Sequence, residues 1–226
     1  MRRYLFPLIL GLGGIAILMS LGFWQLRRLE WKEAMLAEIA AKIAAVPVPI
    51  DNLAKPDPAT DMYLPVSIEG TTTGQELLVL SGRKGQGAGY EVIAAYETGG
   101  GRRILLDRGF VPEEAKAAAR PATAITGAGN LLWPNETDSY TPPPDAKTGL
   151  WFARDVAAMA NALGTEPVMV VLATATGDAQ GVSPTPVDTS TIVNDHRDYA
   201  ITWFSLALVW AGMTGFLLWR IRQRQI

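Results

Sequence analysis

One histidine and no cysteine among 226 residues leave few side chains able to do metal, redox or acid–base chemistry. Without cysteine the chain has no disulfides, no thiolate metal site, no C-x-x-C redox pair and no covalent c-type haem. A lone His196 excludes a multi-histidine metal site and leaves little for general acid–base work. It lies in Val193-Asn-Asp-His196-Arg-Asp-Tyr199, and on a helix it shares one stripe with Ala200, Trp203, Ala207, Trp210 and Thr214. Ala207, Ala211 and Gly215 add a small-xxx-small series that lets another helix or a flat ligand approach closely. Two readings of His196 stand: a solvated interfacial histidine, or a neutral imidazole binding haem iron, with the macrocycle among Trp and Tyr.

A second constellation lies near the N-terminus. Trp24, Arg28 and Trp31 fall at i, i+4 and i+7, so a helix would stack the guanidinium between two indoles. That is either an interfacial anchor or a cationic shelf for an acidic ligand such as haem propionates. Other chemistries find less support. Gly82-Arg-Lys84-Gly-Gln-Gly-Ala-Gly89 matches neither the Walker spacing nor the dinucleotide fingerprint, and reads as a strand-to-strand connection. No G-x-S-x-G occurs, and a Ser-His-Asp arrangement would have to use His196. An extracytoplasmic enzyme therefore lacks a nucleophile–base pair. Glu113-Glu114 after Pro112 look like the first turn of a helix, and the methionines are too scattered for a copper relay. A net charge of −2 and a pI near 5.5 exclude a basic nucleic-acid binder.

The elements that position these residues begin with two uncharged runs, Tyr4 to Leu26 and Tyr199 to Trp219. A 21-residue helix is roughly 31 Å long, close to the ~30 Å of a bilayer core. Tyr4, Trp24, Tyr199 and Trp219 sit where interfacial rings belong. The first run is too long for a signal-peptide core and lacks an A-x-A-like cleavage site, so it reads as an uncleaved anchor. Hydrophobic residues make up 49% of the chain and mean hydropathy is +0.14, a surplus gathered at these two ends.

Both tails carry arginine without acid (Arg2, Arg3, Arg220, Arg222, Arg224), which places them in the cytoplasm by the positive-inside rule. Arg27, Arg28 and Lys32 argue mildly the other way. The reading is thus a cytoplasmic tail over 1–3, a transmembrane helix over 4–24, a periplasmic α+β domain over 25–198, a second transmembrane helix over 199–219 and a cytoplasmic tail over 220–226. Residues 25–45 form a juxtamembrane helix. The short N-terminal tail has no Arg- and Ser-rich transit peptide, so a bacterial inner membrane is expected, with the protein multi-pass.

Within the domain, strands are expected at Tyr63 to Gly70, Glu76 to Leu80, Tyr90 to Tyr96, Arg103 to Phe110, Ala122 to Leu132 and Val168 to Ala173. Thr98-Gly-Gly-Gly101 is a hairpin turn. Ala153 to Leu163 is helical, while Thr137 to Thr148 and Gly177 to Thr191 are irregular. Short connections between successive strands predict a mostly antiparallel sheet or open barrel with flanking helices. In Arg108-Gly-Phe-Val-Pro112, Gly109 permits a bulge or close backbone approach and Pro112 ends the strand, which makes the motif a fold determinant.

Four stretches together carry a family resemblance. They are Gly22 to Lys32 (GFWQLRRLEWK), Arg108 to Pro112 (RGFVP), Trp151 to Gly164 (WFARDVAAMANALG) and Asn194 to Phe204 (NDHRDYAITWF). In this order, with this length and two apolar runs, the chain resembles the surfeit locus protein 1 family of cytochrome c oxidase biogenesis factors. The resemblance implies a non-enzymatic role in haem a insertion or maturation of oxidase subunit I. It implies transient haem a, with subunit I, haem a synthase and the lipid membrane as partners. A scaffold that binds oxidase intermediates without haem is the alternative. His196 occupies the position of the family's proposed haem ligand, and Trp203, Trp24, Arg28, Arg197 and Tyr199 are the candidate cofactor contacts. Arg197 stands where the family commonly has leucine, either pairing with a propionate or marking a site that holds no haem.

Overall fold

The computed structural model describes residues 2–83, 85–190 and 192–223. Lys84 of the glycine-rich stretch, Thr191, and Met1 and Arg224 of the tails lie outside the described residues. The chain divides into two compact units, one of residues 1–38 with 189–226, the other of residues 39–188.

The first unit holds most of helix α1 (Arg2–Ile43) and helix α4 (His196–Gln223). Both are long and apolar enough to cross a membrane. Most of their surface is uncovered: Phe6 is 74% exposed and Leu208 76%. α1 runs without interruption through the expected boundary at residues 24–25, so the juxtamembrane segment continues the apolar helix. One face of each helix is covered by the other. A Cβ on Gly11 would fall 2.2 Å from Thr214, one on Gly14 2.3 Å from Trp210, and one on Gly22 2.5 Å from Phe204. Bulky side chains of α4 thus fill the space those glycines leave. The expectation that Ala207, Ala211 and Gly215 offer a small-residue seat is corrected here: Ala207 is buried, but a Cβ on Gly215 would meet nothing within 4 Å. The close approach is supplied by α1, since glycine at 11, 14 and 22 recurs at helical spacing on one side.

The second unit is a seven-stranded sheet with helices. Its strands are β1 (Val48–Pro49), β2 (Pro65–Arg83), β3 (Gly87–Thr98), β4 (Arg103–Pro112), β5 (Ala124–Leu131), β6 (Leu150–Trp151) and β7 (Met169–Gly177). The short α2 (Pro58–Asp61) precedes β2, and α3 (Val156–Leu163) precedes β7. The two strands expected between Tyr63 and Leu80 are one. β2 pairs with β5 over residues 65–71 and with β3 over 70–83, with an irregularity between Thr72 and Glu76. This double pairing closes the sheet on itself as β2-β3-β4-β7-β5-β2, and β4 meets β7 in parallel. The glycine-rich stretch is ladder too: Gly82 pairs with Ala88, and Arg83 with Gly87.

The side-chain alternation of the strands sorts two cores. Val66, Ile68, Tyr96, Ile104, Leu106, Val170 and Leu172 cluster together, and the Tyr96 hydroxyl donates to the Ile125 carbonyl at 2.6 Å. Ile93, Ala95, Leu105 and Met169, from the opposite face, pack on Val156, Met159, Ala160 and Leu163 of α3. α3 starts where Asp155 accepts the Ala158 N–H at 3.0 Å and stops at Gly164 with φ +63.

Candidate functional site

His196 is the first residue of α4, and its Nδ1 lies 2.8 Å from Oε1 of Gln25 on α1. Gln25 is only 8% exposed. An amide in an otherwise apolar helix is costly to bury without a partner, and the imidazole supplies one. The contact joins residues 171 apart in sequence, Gln25 in GFWQLRRLEWK and His196 in NDHRDYAITWF, yet the sequence reading passed over Gln25. Its signal was a lone amide at the end of an uncharged run.

Arg28 follows Gln25 by three residues on the same helix, so the cationic shelf starts within one helical turn of the residue that bonds the imidazole. The shelf itself is half of what the spacing predicts. The Arg28 guanidinium lies 4.6 Å over the Trp31 ring, its only aromatic partner among the described residues, and Trp24 is 52% exposed. Arg197 and Tyr199 are exposed. Trp203 is half-buried, and its indole N–H is buried without an acceptor, as is that of Trp210. The Asn194 side-chain oxygen near His196 is likewise buried and unpartnered.

These observations bear on whether haem fits. A half-buried imidazole with its Nδ1 against an amide oxygen is a suitable neutral donor through Nε2. The stripe beneath it is not a free cradle, because α1 occupies it; a Cβ on Gly14 would meet Trp210, and one on Gly11 would meet Thr214. The donor set fits; Arg28, Arg197, Tyr199 and Trp24 are exposed and Trp203 is half-buried, so each keeps surface open to a ligand.

In the second unit, Arg108 is 3% exposed and donates to Gln180 Oε1 at 2.9 Å and to the Ala179 carbonyl at 3.2 Å. It is the extra residue of a bulge, since Val92 pairs with Gly109 and Ile93 with Asp107. Gly109 has φ +111, and a Cβ there would lie 2.1 Å from the Ser183 carbonyl oxygen. Phe110 and Ser183 exchange two backbone hydrogen bonds at 2.8 and 2.9 Å. The RGFVP stretch therefore straps residues 178–183 to the sheet, the structural role its glycine and proline imply.

Beside it lies a buried charge cluster that the sequence did not disclose. Asp107 is 1% exposed, accepts the Gly109 N–H at 3.1 Å and pairs with Arg154 at 3.0 Å. Arg154 also holds Glu136. Glu91, 9% exposed, has among the described residues only the Thr185 hydroxyl as a hydrogen-bond partner, at a long 3.4 Å. Burial foremost, then the charge of Asp107, pushes the Glu91 carboxyl up to about 7. Arg154 bonding holds Glu136 below the usual carboxylate range although burial opposes it. The cluster links the RGFVP stretch to the WFARD stretch.

The SURF1 family profile matches residues 12–208. Surfeit locus protein 1 of Xenopus tropicalis is 30% identical over 216 residues, covering 83% of this chain and 67% of its own. The SURF1-like protein of Rickettsia felis is 31% identical over 212 residues, covering 85% of this chain and 88% of its own. Surfeit locus protein 1 of Homo sapiens is 30% identical over 217 residues, covering 83% and 69%.

Proposed function

The chain belongs to the SURF1 family, and on that footing we propose that it is a membrane assembly factor for haem-copper cytochrome c oxidase. It assists haem a insertion into subunit I, or maturation of that subunit, and catalyses no reaction of its own. The observation that carries the reading is the His196–Gln25 contact on a pair of largely uncovered apolar helices. It offers a nitrogen donor at the end of two spans, beside cationic and aromatic side chains. When bound, haem a would supply an iron able to take a nitrogen donor. His196 would hold that iron, Arg28 and Arg197 would meet the propionates, and Trp24, Tyr199 and Trp203 would lie against the ring.

The two helices cross a bacterial inner membrane, and the sheet domain faces the periplasm. Arginines 220 and 222 in the last turn of α4 support a cytoplasmic C-terminus, and SURF1-like relatives in Rickettsia support a bacterial setting. The test is a visible spectrum of protein purified from cells making haem a. A Soret band is expected in the wild type and lost in His196→Ala; full haem occupancy in the variant overturns the ligand assignment.

A second reading, a scaffold that holds oxidase intermediates without haem, is favoured by one observation: α1 fills the stripe below His196. Under it, capture of subunit I is unchanged in cells unable to make haem a. Under the first reading, capture falls there.

A further inference from the structure

We infer that Gln25 is a positioning residue: its amide oxygen holds His196 as the Nδ1–H tautomer and so presents Nε2 as the donor atom. The use of that atom toward haem iron rests on the function proposed above; the tautomer does not.

A neutral imidazole carries one N–H and one lone pair, and the partner of one nitrogen decides the role of the other. Gln25 Oε1 is an acceptor only, so at 2.8 Å from Nδ1 it requires the proton there. Nε2 then keeps its lone pair, and among the described residues it makes no hydrogen bond. Metal-bound histidines commonly anchor their second nitrogen on an oxygen acceptor in this way, which fixes the ring and raises its basicity.

Three features make the hold firm. Gln25 is 8% exposed, so water competes poorly for its oxygen. It stands on the face of α1 that carries Gly11, Gly14 and Gly22, the residues against which α4 packs, so the two helices are locked together one turn or less from the bond. His196 begins α4, where the ring is tied to a helix end rather than to a loose loop. The opposite amide orientation would donate to Nδ1, move the proton to Nε2 and leave no nitrogen free for a metal.

The chain's single histidine makes the test direct. Full-length protein labelled with ¹⁵N in histidine, held in micelles at a pH where the ring is neutral, gives one pair of ring-nitrogen signals. Two-bond ¹⁵N–¹H correlations assign the tautomer. The Nδ1–H form is expected in the wild type and in Gln25→Glu, which keeps an oxygen acceptor, and a shift toward Nε2–H is expected in Gln25→Leu. Ferric protohaem, titrated as a probe, is expected to bind Gln25→Leu about 10- to 100-fold more weakly, with Gln25→Glu near wild type. An Nε2–H wild type overturns the inference without any variant having to fold, and an unchanged Nδ1–H form in Gln25→Leu overturns it too. Equal haem uptake by His196→Ala overturns instead the haem reading, whatever the tautomer.

Discussion

Replacing Glu91 by glutamine tests the buried charge cluster through its pH dependence. Three carboxylates, Asp107, Glu136 and Glu91, surround one bonded guanidinium, that of Arg154. Burial raises the carboxyls of both Asp107 and Glu91, but Asp107 takes Arg154 and the Gly109 N–H while Glu91 has one long bond, so the proton is assigned to Glu91, whose carboxyl is pushed up to about 7 from an ordinary 4.5. Folding raises this value, so the native state binds more protons than the unfolded chain between those limits. Stability therefore falls as pH rises from about 4.5 through 7, and the full cost is present above 7. At about 1.4 kcal/mol per unit of pKa, that cost is about 3 kcal/mol. Glutamine keeps the shape and removes the charge. Glu91→Gln should match wild type near pH 4.5 and exceed it by about 3 kcal/mol at pH 8, roughly 10 °C in Tm for a unit of this size. The assay is thermal or urea unfolding of the full chain in micelles, followed by near-ultraviolet circular dichroism at several pH values. Differencing the two proteins cancels the other titrations. A difference independent of pH between 5 and 8, or one that turns in favour of wild type as pH rises, refutes the assignment of the proton to Glu91.

Other substitutions probe separate contacts. Arg154→Leu strands the Asp107 carboxylate in the interior and should cost about 3 kcal/mol at neutral pH, measured by the same unfolding curves. Gly109→Ala places a Cβ against the Ser183 carbonyl at a backbone angle that disfavours side chains, so it should cost at least about 2 kcal/mol and expose the 178–183 strap to proteolysis. Asp155→Ala removes the cap of α3 and should cost about 1 kcal/mol in chemical unfolding. Gly22→Val meets the Phe204 ring and should push the paired helices apart, read as a loss of energy transfer between labels on α1 and α4.

Where cause and effect lie within a few residues, sequence and structure agree. The uncharged runs became long apolar helices, Thr98 to Gly101 became the β3–β4 turn, and Asp155 and Gly164 bound α3. Gly109 marked its bulge because a positive φ and a close carbonyl admit little else. The misreadings arose where two distant segments compete for one surface. Residues 71–75 looked like a break between two strands, whereas β2 runs through them, passing from β5 to β3 at residues 70–71 with an irregularity in the β3 ladder between Thr72 and Glu76. The Trp24–Arg28–Trp31 ladder obeyed helical spacing, but spacing says only that side chains can meet, and solvent let Arg28 settle on one ring.

The two membrane-length helices, the longer strands other than the single β2, and the family were therefore legible in the sequence alone, because periodicity, turn chemistry and motif order are local properties. Closure of the sheet through β2 and β5, the seating of α4 against the glycines of α1, the Gln25–His196 bond and the Glu91–Asp107–Arg154 cluster were decided only by tertiary structure. Each unites residues tens to more than a hundred positions apart. Which buried polar group finds which partner depends on the packing that excludes water from both, and no pattern along the chain encodes that exclusion.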